Sequence, residues 1–493
     1  MLLVGISIFI LIAIKAYSSS FTHDESYSYL HYIPQPFMDI LSYKDSYTNN
    51  HILNSLMMKY SENLFGTSEF ALRLPNLLLF IGYSLYGFFI LKNNHKIITV
   101  SFVIILISNT AINDFFGLAR GYGLSIGFMM MAIYYLIKSL DSANKKHLIL
   151  FHLAALLATL SNFTLLNFYL AAMATFYGIL MIESHYLKQS RRGMTIFKNN
   201  LTNWFMCLLS LIVLYEPIRR LLTFNVLDFG GKAGFIDDTF HFISSFLFLG
   251  IAISNTELVI LMSTLGLMLL FIFGLIIKMI IQKQLLFFQK HKALIVVHSL
   301  LLLIFMASII QHWLFKTDYL TGRFALFLLP LMLLNFAFLS HYLITRFNNK
   351  VLLISIAFIA LLSTYRFYYN YSITSNAEWG YDSNTKKAME LIASEYPETS
   401  DSVSIGVSWQ FEPTTNFYRT MWKLNWVKPI ERYALNKPHN YYLLSITDLE
   451  SIQLFNHINY ECLAYYKNTQ TILLKAKINV FPKGTAFANG HGN

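Results

Sequence analysis

Charge is scarce in this sequence. Asp, Glu, Lys and Arg make up 13% of its 493 residues and hydrophobic residues 55%, whereas a soluble chain carries about 25% charged residues. A chain so composed cannot clothe a surface facing water, which excludes an ordinary soluble domain. Cysteine is nearly absent: Cys207, within an apolar run, and Cys462, near the far end, supply neither a disulfide framework nor a redox motif. A dinucleotide glycine fingerprint, a P-loop and a zinc spacing are all missing, as are internal repeats and low-complexity stretches. The net charge of +11 does not call for nucleic acid, because the positive residues fall mostly in short loops between apolar runs.

Those apolar runs are the dominant feature. A helix needs about 20 apolar residues to cross a bilayer, and roughly eleven runs fit by length and charge-free continuity: 2–17, 70–91, 97–112, 122–137, 147–160, 164–182, 204–217, 258–279, 294–313, 324–345 and 351–368. The stretch 242–254 is a twelfth span or an interfacial helix, the latter preferred because a further crossing would make the span count even. One alternating set of loops collects Lys92 and Lys96, then Lys138, Lys145 and Lys146, then Lys188, Arg191, Arg192 and Lys198, then Lys278, Lys283, Lys290 and Lys292, and finally Arg346 and Lys350. Positive loops stay in the cytoplasm, so the amino terminus is expected inside and everything after about residue 368 outside. The reading is a polytopic α-helical membrane protein of about eleven transmembrane helices, 1–368, followed by a small extracytoplasmic α/β domain, 369–493. In that tail the apolar runs shorten to strand length (SVSIGV, YYLLSI, ECLAYY, TILLKA), with KNTQ joining the last two as a hairpin and helical patterns in between.

The outward loops hold an unusual company. HDESYSYL puts Asp24 and Glu25 just beyond the first apolar run, and the same face collects His51, Asp114, Arg120, Lys316, Asp318 and Arg323. A carboxylate pair there could be an ordinary solvated loop. Ionisable residues at a membrane edge are costly, however, at about 2.5 to 3.5 kcal/mol each at the bilayer centre, and usually mark a site. An acid facing several bases suits chemistry on a phosphate-bearing substrate.

These motifs resemble a known group. HDESYSYL followed by SYTNNHILNSLMMKYSENLFGTSEFALRLPNLL, then LARGYGLS, then YLTGRFALFLLP, is similar to the polytopic lipid-dependent glycosyltransferases of the GT-C fold, which include the protein O-mannosyltransferases and the lipid A aminoarabinose transferase. FGTSEFALRLP, Phe65 to Pro75, is the closest element. The chain departs from the pattern in two places. Leu118 precedes the Ala119–Arg120 pair where relatives carry Glu, with the nearest acid at Asp114, and Ile52 and Leu53 replace the prolines after His51.

The resemblance implies a GT-C-like integral membrane enzyme of the cell envelope that moves a hexosyl or pentosyl group from a polyprenyl-phosphate donor to an extracytoplasmic hydroxyl on a lipid, glycan or protein acceptor. Inversion at the anomeric carbon is implied as well. Asp24 is expected as general base, a role that contributes about 10²- to 10⁴-fold, with Glu25 organising its loop or sharing the acceptor. Arg323, then Arg120, then Lys316 are expected to hold the leaving phosphate, since preorganised cations stabilise the charge that grows there. His51, Asp114, Tyr122 and Tyr319 are expected to line the substrate cavity. No cofactor is demanded. A divalent metal stays open, because Asp24, Glu25, His51 and Asp114 are ligand types for a hard cation or zinc. The bacterial inner membrane is the expected location, ahead of the endoplasmic reticulum. Two rival readings remain: a transporter or flippase for a lipid-linked sugar, which would more often show repeated halves or broken helix pairs, and a non-enzymatic membrane scaffold, which leaves the Asp24–Glu25 pair unexplained.

Overall fold

In hydrocarbon every backbone amide must find its partner within the chain, so apolar runs of this length fold as helices. The computed structural model describes residues 1–45, 49–142, 144–186, 200–224, 230–247, 254–282, 285–395, 402–433, 435–455 and 460–477. The expected basic loop of Lys188, Arg191, Arg192 and Lys198, Lys283, and the 248–253 part of the 242–254 stretch lie outside them. Contacts divide the chain into two units: Met1–Tyr17, Gln35–Gly66 and Phe70–Ile373 form the first, and Ser18–Pro34, Thr67–Glu69 and Thr374–Asn493 the second.

The first unit is helical. Eight of the described helices are long and apolar enough to cross a membrane, or ten when each of two bent helix pairs counts as a span; the helix on the expected span 147–160 is Lys145–Ser161, 17 residues long. The protein is therefore an integral membrane protein. The helix Leu328–Phe347 has 78% of its apolar window buried, against 22% for Asn255–Ile281 and Lys350–Asn370, so the former is interior and the latter two offer their sides to lipid. One expected span is interrupted. The run 97–112 bends by 60° between Lys96–Ile107 and Thr110–Phe116, because Asn109 caps the second piece by accepting from Ile112 N–H at 3.1 Å while Asn113 donates to the Ile107 carbonyl at 2.7 Å. Part of the 242–254 stretch is helical, as His241–Leu247.

The second unit is α/β. Its strands β1 (Ile405–Val407), β2 (Tyr441–Ser445), β3 (Tyr460–Tyr466) and β4 (Thr471–Ala476) lie in the order β1-β2-β4-β3. β1 runs parallel to β2, and the other pairings are antiparallel. The β3–β4 hairpin closes at Tyr466 opposite Thr471, around the KNTQ turn, with Gln470 in the left-handed region. Helices Thr385–Glu395 and Glu412–Met421 form on the helical patterns seen in the sequence. Onto Glu412–Met421 packs the helix His23–Tyr32, with Phe21 stacked on Phe417 at 4.2 Å and Phe21 N–H donating to Tyr418 Oη at 2.8 Å. The segment read as an outer loop is thus an integral piece of the α/β unit.

Candidate functional site

Three chain segments meet at His51 in the first unit. His51 is the N-cap of the helix Ile52–Phe65 but does not cap it with its side chain; instead its Nδ1 bonds the Ser161 carbonyl at 2.8 Å. A carbonyl only accepts, so Nδ1 carries the proton and Nε2 is left as an acceptor. Closure depends on Gly121. A Cβ there would lie 1.9 Å from the Ser161 carbonyl oxygen and 2.7 Å from His51 Nδ1, which no side chain tolerates. Tyr122 stands edge-on to the imidazole, ring centroids 4.9 Å apart, and also meets Phe115 at 4.9 Å and Phe324 at 6.3 Å.

Arg120 sits at the N-cap of Gly121–Asp141 and is 1% exposed. Its Nη2 donates to Asn49 Oδ1 at 2.7 Å and its Nη1 to the Asn49 carbonyl at 3.4 Å. Asn49 holds the guanidinium without neutralising it. Arg323 lies half-buried in the short 3-10 turn Gly322–Phe324 that precedes Leu328–Phe347, with its guanidinium 5.4 Å from the Phe324 ring centroid. Burial drives the His51 imidazole well below its ordinary pKa, and the Arg120 and Arg323 charges push the same way against the Ser161 carbonyl. At neutral pH the imidazole is therefore uncharged, with two arginine charges acting on it.

The other candidates of this unit have different company. Asp114 pairs with Lys15 Nζ at 2.6 Å, the lysine being wholly buried and lying over the Tyr371 ring at 4.7 Å. Lys316 is exposed and closes the helix Lys292–Phe315 in the left-handed region. Tyr319 exchanges both backbone hydrogen bonds with Gly231 at 2.9 Å and stacks on His312 at 4.2 Å. The described contacts of Lys316 and Tyr319 are with these neighbours and not with the His51 cluster.

Asp24 and Glu25 belong to the second unit. Thr22 caps the helix His23–Tyr32 in a reciprocal capping box: Glu25 N–H donates to Thr22 Oγ1, and Thr22 N–H to Glu25 Oε2 at 3.0 Å. Glu25, fully buried, is thereby an architectural carboxylate that fixes the first turn. Asp24, in the same turn and half-buried, sits where the partial positive charge of the helix start favours an anion. A third carboxyl group holds this turn from outside: Asp382, 1% exposed, accepts from His23 N–H at 2.6 Å and Thr385 Oγ1 at 3.1 Å. Burial raises its pKa well above the usual carboxylate range, helped by the Asp24 charge and opposed by these hydrogen bonds.

Sequence reasoning missed Lys15, Asn49, Ser161 and Asp382. Lys15 had a signal, as a lone cation inside the first apolar run, and so did Glu25, through the Thr-x-x-Glu spacing. Asn49, Ser161 and Asp382 act through the fold and leave no local mark. Among the described residues no three His, Cys, Asp or Glu side chains gather to hold a metal ion.

No protein-family model matches the sequence, and no curated protein sequence matches it. Among solved structures, ArnT from Cupriavidus metallidurans in the apo state is similar over 97% of this chain and 97% of its own, with TM-score 0.53 at 11% identity. The same protein bound to undecaprenyl phosphate gives TM-score 0.46 at 11% identity over the same shares. The archaeal oligosaccharyltransferase AglB from Archaeoglobus fulgidus, in complex with an inhibitory peptide and a dolichol-phosphate, gives 0.44 at 12% identity over 92% of this chain and 71% of its own. The likeness to apo ArnT shows the fold: this is a GT-C fold chain, as its loop motifs imply.

Proposed function

We propose that this chain transfers a sugar from a polyprenyl-phosphate donor to an acceptor hydroxyl at the outer face of a bacterial inner membrane. One observation carries the reading. Two arginines, one of them almost wholly buried, act on a single neutral imidazole in a membrane unit of GT-C fold. The forked donors of a guanidinium suit the oxygens of a phosphate supplied by substrate. ArnT has been seen with undecaprenyl phosphate bound, a carrier of the class proposed here.

In this reading the acceptor hydroxyl attacks the anomeric carbon from the face opposite the phosphate. Its proton passes to the Asp24 carboxylate, the bond from anomeric carbon to phosphate oxygen breaks with inversion, and the electron pair leaves on the polyprenyl phosphate. Arg323 and Arg120 hold that phosphate as its charge grows. His51, with Nδ1 committed to Ser161 and Nε2 an acceptor, receives a hydrogen bond from a sugar or acceptor hydroxyl. Glu25 keeps the turn that presents Asp24, and the tail 369–493 takes part in recognising the acceptor.

The test is transfer of radiolabelled sugar from lipid carrier to acceptors in membranes, comparing wild type with Asp24→Asn at matched expression and matched gel-filtration profile. Transfer should fall by about 10²-fold or more. Unchanged transfer would remove Asp24 from catalysis. Absence of transfer in wild type, with movement of the lipid-linked sugar across the bilayer instead, would favour a flippase.

A further inference from the structure

The helix Gly121–Asp141 begins beside the His51 cluster and ends about 30 Å away at 1.5 Å per residue, where a second polar site lies. A cavity of about 250 Å³ opens there, lined among others by Asn94, Lys138, Asp141, Lys290, Lys292 and His341. That volume corresponds to about eight water molecules. Its floor holds one cation and two carboxylates: Lys292, 7% exposed, lies 3.1 Å from Glu183 and 3.6 Å from Asp141 and donates to the Leu140 carbonyl at 3.0 Å, so that with Lys138 and Lys290 the positive charge still prevails by one.

Beside the amides of Asn93 and Gln289, which can donate or accept, several of the remaining polar groups are donors. Lys138 and Lys290 have no carboxylate within ion-pair distance among the described residues, and the buried Asn94 Nδ2 finds no acceptor there. His341 Nδ1 accepts from His95 N–H at 3.1 Å, so its proton is on Nε2. Two free ammonium groups, an amide N–H and an imidazole N–H around one cavity leave an acceptor-rich anion as the missing partner. The cavity lies between the ends of membrane helices, at the end that carries the lysine-rich loops. Basic pockets in that position suit phosphate headgroups of anionic lipids.

We infer that this cavity is a binding site for a phosphate group, chiefly that of an anionic phospholipid in the leaflet bearing the lysine-rich loops, separate from the His51 cluster. The test uses the full-length chain in detergent. Binding of dioctanoyl phosphatidylglycerol, dioctanoyl phosphatidylcholine and inorganic phosphate is followed by native mass spectrometry and by the thermal midpoint. Phosphatidylglycerol should bind saturably and raise the midpoint, and Lys138→Gln/Lys290→Gln should weaken it by about tenfold or more, the loss of one charge-assisted contact being already of that size. Lys145→Gln/Lys146→Gln, which alters two exposed lysines of the neighbouring helix start, should bind like wild type. Equal protection by inorganic phosphate would support the site with a soluble anion as its ligand. Equal binding of phosphatidylcholine, or equal losses in both double variants, would overturn it. Sugar transfer is not the readout, so the outcome is independent of the proposed enzyme activity.

Discussion

The Lys15–Asp114 pair separates two readings of Asp114, as a substrate ligand and as one half of a buried ion pair. At 2.6 Å two unit charges attract by about 6 kcal/mol at an effective dielectric constant near 20. Desolvation consumes much of that, yet removing one partner strands the other charge and costs about 3–5 kcal/mol. Lys15→Met and Asp114→Asn should therefore each lower the thermal midpoint of the purified protein by roughly 3–5 °C, read as loss of the monodisperse peak after heating. The double variant Lys15→Met/Asp114→Leu should recover most of that stability, because an apolar pair of similar volume replaces a pair that no longer needs neutralising. The transfer assay completes the cycle. If the pair is architectural, the double variant regains sugar transfer along with its stability. A double variant that is stable yet has lost donor binding would refute this reasoning and return Asp114 to the substrate.

Other perturbations follow from the same geometry. Gly121→Ala should destabilise by about 1–3 kcal/mol or more by overpacking and raise the donor KM, since the new methyl meets the Ser161 carbonyl and His51; Gly178→Ala, with no atom within 4 Å of its added Cβ, should be neutral or stabilising by up to about 1 kcal/mol. Arg120→Lys should weaken donor binding about ten- to a hundredfold with little effect on folding, because an ammonium cannot fork between Asn49 and a phosphate as guanidinium does. Asp382 binds its proton more tightly in the folded than in the unfolded chain, so its contribution favours the fold at low pH and is lost as pH rises through its raised pKa. Asp382→Asn should accordingly gain midpoint relative to wild type between about pH 5 and pH 8, while Asp382→Ala, which abandons His23 N–H, should lose it at every pH.

The membrane helices were legible because hydrocarbon enforces a simple rule of length and composition. Helix after helix, including Glu69–Leu91, Asn255–Ile281 and Lys350–Asn370, covers its apolar run with ends extended by a few residues. The break at Asn109 was less legible, since an Asn within an apolar run reads equally well as a tolerated polar residue. The β3–β4 hairpin was readable from its turn. What could not be read was the membership of Ser18–Pro34 in the α/β unit, which rests on contacts such as Phe21 with Phe417, almost 400 residues apart in sequence. The site shows the same division. Arg120 and Tyr122 announce themselves in a motif, but Asn49, which holds the Arg120 guanidinium, and the Ser161 carbonyl, which holds His51, are ordinary residues put there by where helices end.

That division decides how the two kinds of basic residue should be weighed. Lys316 is exposed at a helix end, where solvent screens its charge and a snorkelling role suffices. Arg120 is buried, and a buried guanidinium is tolerable only when hydrogen bonds offset its desolvation. Asn49 occupies two of the guanidinium donors with uncharged oxygens. The neighbouring His51 stays neutral under the same field. Had the cluster contained a protonated imidazole, the added repulsion would have to be relieved by an anion at all times. With His51 neutral that repulsion is absent, which accords with the proposed donor site, where a lipid phosphate would be loaded and released in each cycle.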